Sequence, residues 1–225
     1  MQTRMLTEGQ EGKVARMKEA IVEWKERAAQ TDRLLKKGSA LNAGLDDTGF
    51  EQLKPFRLDV LVMAGYMLIA SPAFSRHHVI LNLHPALPTG PTGTWQEVIW
   101  SLLEREEEET GAMMHLATAE LDRGPVVSLF RFPITGGDWD PLWQQFRDKR
   151  QTMSTAQIAA AEGEAEPLFA EIRRRGEIRE IPLLYQTLRQ FTLGQLNTAA
   201  GAVFAESSRL PLDLSDLVNE ELARR

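Results

Sequence analysis

Apolar residues fall along this chain in more than one rhythm. Between residues 10 and 37, Val14, Met17, Ile21, Trp24 and Ala28 recur at alternating steps of three and four. That stripe predicts one long helix packed on a sheet or a neighbouring helix, ended by Lys36, Lys37 and Gly38. Arg57 to Gly65 is a nearly continuous apolar run, as expected of a parallel strand covered on both faces. His78 to Leu83 reads as a second, short strand. Helical spacing returns over Thr94 to Arg105, with Trp95, Val98, Ile99 and Leu102 on one side. Gly111 to Thr118 and Pro125 to Phe132 read as strands joined by a turn around Asp122 to Gly124. Asp140-Pro141 opens a further helix, with Asp as its cap and Pro at the first helical position. It is expected to reach about Arg175, with a break near Gly163 and Gly176 as its stop. Ile181 to Phe191 predicts a separate short helix, and the tail from Ser215 is amphipathic. Strand, helix and strand in alternation imply an α/β fold.

Composition narrows the function classes. The 225 residues carry a formal net charge of -6, which argues against broad binding of a phosphate backbone, so no nucleic-acid partner is expected. There are no cysteines, which excludes disulfides, thiolate zinc sites and cysteine nucleophiles. The longest apolar stretch, Leu58 to Phe74, is interrupted by Asp59 and is too short for a bilayer, which takes about twenty apolar residues. No apolar segment follows Arg4, so no signal peptide is expected. The expectation is a cytoplasmic protein with no membrane partner; the oligomeric state is open. The acidic run Glu106 to Glu109 reads as a solvated loop, and no metal is expected. Gly9 to Lys13 has neither a preceding strand nor a following Ser or Thr, so it does not make a phosphate loop.

Chemistry concentrates in two stretches. Asn82-Leu83-His84-Pro85 ends the second strand. His115 and Leu121-Asp122-Arg123-Gly124-Pro125 follow some way along. An amide, imidazoles and a carboxylate beside chain-turning residues are the groups that stabilise an oxyanion and move a proton in acyl transfer. Singly, each has a plain structural explanation: a loop cap, a bonded strand-end histidine, a tight turn.

Together with the strand before them, these blocks resemble a known family. Asp59 to Met67, Ser71 to Phe74, Ile80 to Pro88, Thr110 to His115 and Glu120 to Val127, in that order, are similar to the folate-dependent formyltransferases. The glycinamide ribonucleotide formyltransferase branch, an enzyme of purine biosynthesis, gives the nearest likeness. The resemblance implies a Rossmann-like, mostly parallel sheet flanked by helices, and 10-formyltetrahydrofolate as cosubstrate. It implies a catalytic group of Asn82, His84 and Asp122, supported by His115 and Gly124, with His115 orienting Asp122 or its loop. It implies a folate pocket walled by Met67, Leu68, Ile69 and Ala70 on one side and by Ala117, Thr118 and Glu120 on the other. Pro85 and Glu162 are its implied contacts with the amine substrate.

The family's opening strand and Gly-rich phosphate turn have no counterpart over residues 1 to 40, Ala86 stands where a Ser is usual, and Leu68 where a basic residue is common. The expected organisation is a helical segment over 1–40, a formyltransferase-like domain over 41–176 that lacks that first strand, and a helical extension over 177–225. The expected function is formyl transfer to a small amine, phosphoribosylglycinamide-like or amino-sugar-like. Two alternatives stay open: a truncated or degenerate homologue acting by binding alone, and a methionyl-tRNA formyltransferase-like enzyme.

Overall fold

Strands β1 (Leu61–Met63) and β2 (Ile80–His84) run parallel, with Leu61 opposite Ile80 and Met63 opposite Asn82. The computed structural model describes Gly12, residues 59–63, 78–118, 123–206 and 209–224. The helix expected over 10–37 lies outside them apart from Gly12, which is helical.

β3 (Glu109–Leu116) and β4 (Val126–Pro133) form an antiparallel pair. Leu116 N donates to Pro125 O at one end, and Ile134 N to Glu108 O at the other, both at 2.9 Å. Ala117 N donates to Ile80 O at 2.8 Å, so the end of β3 lies beside the start of β2 and these two also run antiparallel. With β7 (Leu212–Asp213) the sheet order is β1-β2-β3-β4-β7. The fold is therefore α/β, with a mixed sheet in which β1 and β2 run parallel and β3 is antiparallel to both of its neighbours.

Helix α1 (Trp95–Arg105) starts as its sequence dictates. Thr94 and Glu97 satisfy each other's backbone N–H groups in a capping box, and Val98, Ile99, Leu102 and Leu103 are buried on one face. In α2 (Asp140–Arg150) the cap differs from the expectation. Asp140 is the first helical residue, not the cap, because its carboxylate accepts from Gly136 N of the preceding turn. α3 (Thr155–Glu162) is capped by Ser154 and Gln157.

The largest departure is α4 (Pro167–Thr192), one helix that passes through both Gly176 and Pro182. Local propensity opposes this: an interior Gly costs about 1 kcal/mol relative to Ala and an interior Pro about 3. Burial outweighs it. Leu183 and Leu184, just past the proline, are 0% and 2% exposed, and a fully buried leucine contributes about 1.5–3 kcal/mol. The stretch 181–191 is thus the second half of α4, not a separate helix. A hairpin follows that the apolar pattern does not announce: β5 (Leu196–Ala199) antiparallel to β6 (Ala202–Ala205). α5 (Ser215–Ala223) closes the chain.

The described residues fall into two compact units. The first takes in β1, β2, the end of β3, the start of β4, the second half of α4 and the hairpin. The second holds α1 to α3, the other parts of β3 and β4, the first half of α4, and α5. No helix among the described residues is long and apolar enough to cross a membrane.

Candidate active site

Side chains two apart on a strand share a face, which puts Asn82 and His84 of β2 on one side of the first unit's sheet. His115, near the end of β3, is 1% exposed and reaches the same side. Asn82 Nδ2 lies 3.2 Å from His115 Nε2. His115 Nδ1 lies 3.0 Å from the Leu116 carbonyl oxygen. A carbonyl oxygen only accepts, so Nδ1 carries the ring proton and Nε2 of the neutral ring is an acceptor. Asn82 therefore donates to His115 through one amide hydrogen. The His84 ring stands edge-on to that of His115, with centroids 6.1 Å apart and planes at 79°. Asn82 is half-buried, and His84 is buried.

Gly124 supports this arrangement by being small. A Cβ there would lie 1.6 Å from the Leu116 carbonyl oxygen, the atom that holds the His115 ring. The requirement is close approach, since Gly124 is not among the positive-φ glycines. Ala117 and Thr118, beyond the end of β3, are half-buried. The Ala117 N–H is bound to Ile80 O and so is not available to a ligand. Asp122, Glu120, Met67, Leu68, Ile69 and Ala70 lie outside the described residues.

Pro85 and Glu162 belong to the second unit. Pro85 lines a small cavity with Trp95, Ile99, Phe130 and Phe132, of about 20 Å³, room for about one water molecule. Glu162, at the end of α3, accepts from Lys149 Nζ at 2.7 Å. The same ammonium donates at 3.1 Å to Glu166, which is 0% exposed and takes the Phe169 N–H at the start of α4. Burial disfavours the Lys149 charge, but its hydrogen bonds to Glu162 and Glu166 outweigh this and raise its pKa. Lys149 is a partner that spacing alone does not reveal, since a loop and a helix separate it from Glu162. No cluster among the described residues has the make-up of a metal site.

The site's chemistry can be set beside known proteins. Residues 15–154 match the family model described as formyl transferase. The chain belongs to the formyl transferase family. Relatives include phosphoribosylglycinamide formyltransferase of Escherichia coli, 42% identical over 82 residues that make up 36% of this chain and 38% of that protein. The Haemophilus influenzae enzyme of the same name is 34% identical over 104 residues, 44% of this chain and 47% of that one. The chain thus spans less than half the length of these curated relatives. The solved phosphoribosylglycinamide formyltransferase of Coxiella burnetii shares the fold, with a TM-score of 0.53 and 21% identity, covering 81% of this chain and 74% of that one.

Proposed function

We propose that this formyl transferase family member moves a formyl group from 10-formyltetrahydrofolate to a small primary amine of the phosphoribosylglycinamide or amino-sugar kind. The observation that carries the reading is the bond from Asn82 to His115. It commits one amide hydrogen of Asn82 and fixes the plane of the amide. The amide dipole is then held in a set direction, and being neutral and already oriented it needs little reorganisation when charge develops.

In the proposed reaction the amine nitrogen attacks the formyl carbon, and negative charge grows on the formyl oxygen. Asn82 donates to that oxygen, and His84, on the same face of β2, supplies a second donor. Asp122 takes the proton lost by the amine, directly or through water. The bond from the formyl carbon to the folate nitrogen then breaks, that nitrogen gains a proton, and the products are the formamide and tetrahydrofolate. Ala117 and Thr118 serve as one wall for the folate. Pro85 and Glu162 serve the amine.

The test is a product assay with 10-formyltetrahydrofolate and a panel of amines including phosphoribosylglycinamide and an amino-sugar nucleotide. Formylation of one amine, cut about a hundred- to a thousandfold by Asn82→Ala, is the expected result. Formylation unchanged by Asn82→Ala would sink the assigned mechanism. No product with any amine, alongside thermal stabilisation by a folate analogue, would leave a binding protein in place of an enzyme.

A further inference from the structure

Three guanidinium groups of α4 rest on aromatic rings in the second unit. Arg173 lies 4.5 Å from the Trp95 ring centroid, Arg175 4.4 Å from Trp139, and Arg179 4.9 Å from Phe132. Phe132 and Trp139 are themselves stacked at 6.4 Å, so Arg175 and Arg179 sit side by side on one aromatic shelf. The Arg179 side chain curls back along the helix, and its Nη1 donates to the Arg175 carbonyl at 2.7 Å.

The carboxylates around this shelf go to the other arginines. Glu171 bridges Arg174 at 2.7 Å and Arg175 at 2.6 Å. Glu180 pairs with Arg173 at 2.7 Å, Glu177 stands 3.9 Å from Arg173, and Asp138 stands 3.8 Å from Arg175. Arg179 pairs with none of the described carboxylates, and its buried Nε has no hydrogen-bond partner. Burial, with Arg175 and Arg174 as like charges nearby, pulls its pKa below the usual arginine value. A half-buried guanidinium without a counter-charge is destabilising, and an anion brought from solution relieves it.

We propose that Arg179, with Arg175 beside it on the Phe132–Trp139 shelf, forms a binding site for a small oxyanion, the phosphate monoester or carboxylate of a ligand. The planar fork of arginine suits both groups, since it can donate two parallel hydrogen bonds to either. The aromatic ring beneath holds the fork in place, so little rotational freedom is lost on binding. The site stands independently of formyl transfer, since it rests on charge and packing within the second unit alone.

The experiment is thermal unfolding of the full chain in rising inorganic phosphate, with sodium acetate as the carboxylate arm and sodium chloride at matched ionic strength as the reference. The expected result is a saturable rise in Tm with phosphate or acetate that chloride does not reproduce. The arm that saturates at lower concentration identifies the group. Arg179→Gln abolishes the increment, Arg179→Lys retains part of it, and Arg174→Gln on the exposed face leaves it intact. Equal responses of wild type and Arg179→Gln, or a response to phosphate and acetate no larger than to chloride, would overturn the proposal. If Arg179→Gln fails to fold, loss of the increment in Arg179→Lys with its retention in Arg174→Gln supports the site, and full retention in Arg179→Lys overturns it.

Discussion

Asn82 of β2 and His115 of β3, 33 residues apart in sequence, meet through a hydrogen bond of 3.2 Å. In the proposed reaction His115 is a positioning residue: it holds the Asn82 amide and is itself held by the Leu116 carbonyl. Replacing His115 by Phe removes the acceptor of this Asn82 hydrogen bond, and a typical hydrogen bond contributes about 0.5–1.5 kcal/mol. In a formyl-transfer assay kcat is expected to fall by more than tenfold, while KM for folate changes little. His115→Gln, which can still accept from Asn82, recovers part of the rate.

Gly124→Ala should be among the most damaging small substitutions. Its added methyl carbon would fall 1.6 Å from the Leu116 carbonyl oxygen, and backbone must move to admit it. Overpacking of this kind costs about 1–3 kcal/mol. The carbonyl that moves is the one fixing His115, so activity should fall further than the drop in stability explains. Urea unfolding and turnover measured on one preparation separate the two effects.

The hairpin turn offers the opposite case. Ala200 and Gly201 both have positive φ, 50° and 78°, the pattern of a two-residue turn that favours Asn-Gly or Gly-Gly. An L side chain in this conformation costs about 1–2 kcal/mol. Ala200→Gly or Ala200→Asn is therefore expected to raise stability by roughly 0.5–1 kcal/mol, read as a higher urea midpoint at unchanged slope.

Acid stability has a local source on α4. The hydrogen bond from Arg174, assisted by Arg175, outweighs burial and lowers the Glu171 pKa from 4.5 to about 2. A depressed carboxylate contributes stability that is complete above the unfolded value and lost as pH falls through the folded one. The contribution should fade between pH 4.5 and about 2. In urea unfolding the gap between wild type and Glu171→Gln is expected to close across that window, and a constant gap would show that the pair does not act this way.

What could be read from sequence follows from how local each determinant is. α1 was legible because Thr94, Glu97 and a one-sided apolar stripe all lie within its own span. The shared face of Asn82 and His84 was legible because the two residues are two apart on a strand. α4 was not legible, because Gly176 and Pro182 are local stop signals overruled by the burial of Leu183, Leu184 and Thr187. The β5–β6 hairpin has only Leu196 and Val203 buried among its strand residues, too few to set up an alternation. The hydrogen bond between Asn82 and His115 depends on the pairing of β2 with β3, which no spacing encodes. The resemblance singled out both residues, but not the bond between them.

Gly111 and Gly124 have a joint consequence for how the β3–β4 pair closes. A Cβ at Gly111 would lie 1.9 Å from the Phe130 carbonyl oxygen, as one at Gly124 would crowd that of Leu116. Slipping the pair by one residue would press the side chain of Thr110 or Ala112 against such a carbonyl, and would also turn the strand's faces over. Two absent methyl groups thus act as a key for strand register. They favour the alignment of β3 with β4 in which Gly111 meets the Phe130 carbonyl and Gly124 that of Leu116, the carbonyl that also holds the His115 ring.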